Sequence, residues 1–111
     1  NKSLDTPWPK LAGGCDELRQ AIQQDVNIES LFAILADTST PADSLLPDTG
    51  IGIDLERLLG SRFIHNDHYG TRASTILTIN YNNQVAVSHR DFNAAPTSII
   101  NECRWDFTLD S

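Results

Sequence analysis

At 111 residues, 40% of them hydrophobic, the chain has material for one modest core and no room for two. Its net charge of −7 and scattered Lys and Arg leave no basic face, which excludes nucleic acid and an anionic membrane surface as partners. Its apolar runs are a few residues long against the roughly 20 that span a bilayer, and no basic segment precedes one as in a signal peptide, so a soluble protein is expected.

The chain opens at Asn1 and reads as the middle of something, by processing or by truncation. The stretch from Asn1 to Gly14, with Pro7, Pro9, Trp8 and a glycine pair, suits an extended segment and a turn, with Trp8 packed on the core. From Cys15 to Gln24, Leu18, Ala21 and Ile22 recur at helical spacing behind Asp16 and Glu17, which predicts a short amphipathic helix. Asn27 caps a second helix along the stripe Ile28, Leu31, Phe32, Leu35, stopped by the segment Asp37 to Pro41.

Three Asp, two Pro and two Gly between Asp37 and Gly52 make a long loop anchored by Leu45 and Leu46. Asp54 to Leu59 gives one or two helical turns, with Gly60 as a left-handed cap. Thr71 to Asn80, Gln84 to Arg90 and Ile99 to Leu109 are rich in β-branched and aromatic residues and read as strands. In the last, Cys103, Trp105, Phe107 and Leu109 alternate with Glu102, Arg104, Asp106 and Thr108, so the apolar set should face a core and the polar set water. Asn82 and Asn83 supply left-handed residues for a tight turn. The fold class is therefore α+β: an antiparallel meander of about three strands with two to three helices packed on it, in a single domain spanning 1–111.

Cys15 and Cys103 form no Cys-x-x-Cys pair and are expected as two buried thiols, though a single disulfide between them is the alternative. Buried thiols point to a reducing, cytoplasmic setting. His65, Asp67 and His68 lack a third fixed ligand and read as an ordinary loop, so no metal is expected. Phosphate-loop and dinucleotide glycine patterns are absent, and no cofactor is expected. Ser74, His89 and Asp91 can be assembled into a triad on paper, but no nucleophile elbow surrounds any serine.

The string Tyr69-Gly70-Thr71-Arg72-Ala73-Ser74-Thr75 sets a guanidinium and three hydroxyls at a loop-to-strand junction. Arg72 is either a planar fork for a carboxylate or phosphate, or a partner of Asp48 or Glu56. In Leu46-Pro47-Asp48-Thr49-Gly50, Asp48 and Thr49 can bond the backbone around a glycine that permits a sharp reversal. These residues nominate a small-molecule site made of Asp48, Thr49, Tyr69, Thr71 and Ser74.

Taken with Asn1-Lys2-Ser3-Leu4-Asp5-Thr6-Pro7-Trp8-Pro9-Lys10 and Glu56-Arg57, these strings resemble the C-terminal motifs of the Asn-Arg-Asp-Glu family, which includes the transport-and-Golgi-organisation proteins. The resemblance runs from Asn1 to about Asp91. It implies the C-terminal portion of a larger protein and part of the four-layer αββα sandwich of the N-terminal nucleophile hydrolases. The nucleophile Cys and the naming motif would lie in a missing N-terminal part. By similarity to conjugated-bile-acid and penicillin V hydrolases, Asn1 would help form an oxyanion hole and Arg72 would sit beside the nucleophile, lowering its pKa.

The function implied is hydrolysis of amide bonds through an acyl-enzyme, for which this chain alone does not suffice. The alternative is a non-catalytic carrier of haem or lipid, or an interaction domain. The expected partners are the missing N-terminal part, a small-molecule ligand, and a second copy docked through a sheet face left bare.

Overall fold

The computed structural model describes residues 6–93 and 98–110. Three helices precede three strands: α1 (Pro9–Gln23), α2 (Ile28–Leu35), α3 (Ile53–Leu58), β1 (Ala73–Ile79), β2 (Gln84–Phe92) and β3 (Ile99–Thr108). The sheet runs β1-β2-β3 with both pairs antiparallel, so the chain is α+β with a three-stranded meander.

Helix α1 starts earlier than its apolar spacing implies. Pro9 occupies the first turn, where a fixed φ favours the helix and the missing N–H costs nothing. Gly13 and Gly14 lie inside the helix at about 1 kcal/mol each relative to Ala. Leu11 and Leu18, lining the groove toward α2 and β1, help to outweigh that cost. No described residue of α1 is fully buried, and Ile22 is largely exposed.

Helix α2 begins where Asn27 places it. The Asn27 side chain accepts from the Ser30 backbone N–H at 2.8 Å, and Ser30 Oγ accepts from the Asn27 N–H at 3.2 Å, a reciprocal capping box. Phe32 is its buried residue. Between α2 and α3 the loop carries a 3-10 turn at Asp43–Leu45; Leu46 is half-buried but Leu45 is exposed, so only the former anchors the loop.

The β1–β2 turn is one residue longer than an Asn-Asn pair suggests, because the Asn80 N–H donates to the Gln84 carbonyl and leaves Tyr81, Asn82 and Asn83 between them. Among the described non-glycine residues only Asn83 has a positive φ, at 59°. Asn80 organises the reversal: its side-chain oxygen accepts from the N–H groups of Asn82 and Gln84, and its carbonyl from that of Asn83.

Register divides the sheet into two unlike faces, because directly paired residues point the same way. Ile76 pairs with Ser88, which pairs with Arg104; on this same face Arg90 pairs with Glu102. Against it lies α2, with the Arg90 guanidinium 3.9 Å from the centre of the Phe32 ring and ion-paired to Glu29 and Glu102. Phe92, beside a bulge at the end of β2, meets Phe63 edge-on at 4.9 Å.

The opposite face carries Leu77, Val87 and Trp105 in one row and Ile79, Val85 and Phe107 in the next. Val85, in the central strand, is buried, yet Trp105 is 52% and Phe107 51% exposed. The alternation read from β3 is present, but the helices pack on the other side. Among the described residues no helix covers the apolar set, so that side of the sheet is bare.

Four apolar side chains are buried among the described residues: Phe32, Phe63, Ile76 and Val85. The radius of gyration is 16.0 Å, against about 13 Å for a compact chain of this length. The thin core makes local devices count. Asn27→Ala should lower the unfolding free energy by about 1 kcal/mol, read as a shifted urea midpoint with unchanged slope.

Candidate functional site

All four strings singled out in the sequence contribute to one cavity of about 280 Å3. The N-terminal string brings Trp8, Pro9 and Lys10; the Leu-Pro-Asp-Thr-Gly string brings Leu46, Pro47 and Thr49. Helix α3 adds Glu56, and the loop before β1 adds Tyr69.

The geometry starts from the loop. Gly50 and Gly52 have φ of +87° and +92°, which a side chain would oppose, and they reverse the chain into α3. Asp48 fixes the reversal by accepting from the Gly50 N–H at 3.3 Å. Gly60 has no positive φ and is therefore not a left-handed cap. It is a point of close approach, because a Cβ there would lie 2.9 Å from Leu46 Cδ2 and 3.1 Å from the Glu56 carbonyl oxygen.

Glu56 is 5% exposed, while Ile53 and Leu55 beside it on α3 are open to solvent. Its Oε1 accepts from Thr49 Oγ1 at 2.6 Å and from the Thr49 N–H at 2.9 Å. The Thr49 hydroxyl, then its amide, hold the carboxyl below the ordinary glutamate value against the opposing effect of burial. Sequence reasoning treated Glu56 only as motif and as a partner for Arg72. The missed signal was an acid set seven residues after Thr49 on a helix too short to have a polar side of its own.

A second clasp shapes the approach to β1. Thr71 donates its N–H to the Ile64 carbonyl and accepts the Ile64 N–H on Oγ1, both at 2.9 Å. Gly70 fits between because a Cβ would meet Ile64 O at 3.0 Å. Thr71 is thus engaged in holding the loop, and Tyr69 projects at its exposed end.

The nominated residues therefore part company. Thr49 and Tyr69 line the cavity, with Asp48 in the adjoining turn. Ser74 lines a different cavity of about 230 Å3 with Phe32, Arg90 and Phe92. Arg72 is exposed and has no ion pair among the described residues; neither Asp48 nor Glu56 answers it. Asn1, with the string through Asp5, lies outside the described residues.

Elsewhere, Thr75 takes the place offered on paper to Ser74. Thr75 Oγ1 lies 2.7 Å from His89 Nδ1, and His89 Nε2 lies 2.9 Å from Asp91 Oδ1, on the bare face of the sheet. Ser74, one residue away, points to the helices. Cys15 and Cys103 are free thiols, but neither is buried: Cys15 is exposed on α1 and Cys103 half-buried on β3. His65, Asp67 and His68 are exposed, and among the described residues no three metal-binding side chains gather. No helix among them is long and apolar enough to cross a membrane.

A depressed carboxyl pKa stabilises the fold above the unfolded value and loses that contribution as pH falls through the folded one. Stability should therefore decline below about pH 4.5 as Glu56 protonates. Thr49→Val, which deletes the shorter hydrogen bond, should flatten that acid limb in a series of thermal melts.

The comparisons agree with the strings. The Transport and Golgi organisation 2 family matches residues 1–94. A mouse (Mus musculus) protein, "Transport and Golgi organization 2 homolog", is 28% identical over 120 residues, covering 100% of this chain and 44% of its own length. The chain thus spans less than half of the curated relative it matches. By a match over most of its length, the chain belongs to the Transport and Golgi organisation 2 family.

Proposed function

We propose that this chain is the supporting part of a Cys-nucleophile hydrolase of C–N bonds, built on the N-terminal nucleophile plan, whose nucleophile lies outside these residues. The observation that carries the reading is Arg72. Arg19, Arg57, Arg62 and Arg90 are each ion-paired, whereas Arg72 and Arg104 are exposed and unpaired among the described residues. Of these two only Arg72, just before β1, stands at a strand end within one of the family-like strings. A guanidinium held on a strand end is suited to meet an anion brought from elsewhere, and beside a thiol it favours the thiolate.

The bare face of the sheet supports the same reading. Trp105, Phe107, Leu77 and Ile79 form an apolar surface of the kind that packs on a second sheet, in a protein whose relative is more than twice as long. Asn1 would be the oxyanion donor, as its string suggests. One observation favours the non-catalytic alternative of haem or lipid carriage: a groove of about 580 Å3 between α1, α2 and β1, walled by Leu11, Leu18, Leu31, Leu35 and Ile76.

The test is thiol reactivity in the full-length protein. Arg72→Ala should slow alkylation of the nucleophile at neutral pH by about tenfold, one pKa unit, and Arg72→Lys should keep most of the rate. Unchanged alkylation in Arg72→Ala would sink the hydrolase role of this residue and favour the carrier.

A further inference from the structure

We propose that the cavity where the four strings meet binds a primary ammonium group, with the Glu56 carboxylate as its acceptor and Trp8 and Tyr69 as aromatic walls. The inference begins with an imbalance at Glu56. Both hydrogen bonds from Thr49 fall on Oε1, and Oε2 has none among the described residues, although the side chain is 95% removed from solvent. Oε2 is not itself sealed from water, so on an otherwise buried side chain lining the cavity it is the charged acceptor left open to a guest.

No described cation answers it. Arg57, next in sequence, turns to Asp43 and Asp54, and Lys10, on the cavity wall, donates to the Leu59 carbonyl at 2.9 Å. The walls suit an organic cation. Trp8 is half-buried and Tyr69 is open, and the face of either ring attracts positive charge. At about 280 Å3 the cavity holds several heavy atoms beyond the volume of one water, about 30 Å3.

Charge and geometry narrow the class. A single carboxylate is a poor site for a divalent metal, which requires about six oxygens. An ammonium can set one of its three N–H donors on the Glu56 carboxylate and leave the others to water at the cavity mouth, with its carbon chain against the apolar walls. Lys10 at the wall disfavours a guest with a second positive charge and suits one carrying an acceptor a few atoms from the nitrogen. Binding is independent of the hydrolase reading, because it is measured without turnover and without Arg72.

The test uses the full-length protein labelled at its indole nitrogens, with resonances assigned by Trp→Phe replacement, and 2-phenylethylammonium as probe. The Trp8 indole should shift saturably while Trp105, on the bare sheet face, stays still. The near-isosteric neutral 2-phenylethanol should bind about tenfold more weakly, as should the ammonium to Glu56→Gln. Because that variant disturbs the Thr49 clasp, Tyr69→Ala supplies an independent measure; its side chain is exposed, and about fivefold weaker binding is expected. Equal affinity for alcohol and ammonium, unaltered affinity in Glu56→Gln, or shifts at Trp105 in place of Trp8 would each overturn the assignment.

Discussion

Two arginines join the layers of this protein. Arg90, on the central strand, lies over the Phe32 ring and reaches Glu29 of α2 and Glu102 of β3. Arg62 reaches Glu17 of α1, the Ile34 carbonyl in the last turn of α2, and Asp37 just past that helix. Each is mostly shielded by its neighbours, so each charge is confined to a site that already satisfies it, and removing a partner would strand it. The helices are thereby tied to the polar side of the sheet. The bare apolar side follows from that choice.

The same division of labour organises the loops. Thr49 and Glu56 close the segment into α3, and Thr71 with Ile64 closes the segment into β1. Between the two clasps sits a cavity to which distant parts of the chain contribute. Membership of the Transport and Golgi organisation 2 family accounts for the strings occurring together; their convergence gives them a common physical setting. Arg72 lies outside that cavity, so the hydrolase and ammonium-site proposals rest on different residues.

Sequence pattern carried the element types well where a local interaction decided them. Asn27 and Ser30 mark the start of α2 because the cap lies within one helical turn, and the three strands follow from β-branched composition and a short turn. The start of α1 was hidden because Pro and Gly weaken helices on average, while Pro in the first turn favours one. Period-two alternation in β3 separates two faces but carries no information on which one the helices choose. That depended on Arg90, sixty-one residues from Glu29. Glu56 was illegible as a site residue for a similar reason: an acid on a short helix reads as solvated until Thr49 and the loop fold over it.

The bare face also changes what natural selection can read in this sequence. Trp105 and Phe107 contribute little to the burial that holds this chain together, since about half of each remains in water. Selection on the stability of these 111 residues alone would tolerate small polar side chains at both positions and would gain solubility from them. Two large aromatics half open to water are a standing aggregation risk for these residues taken by themselves.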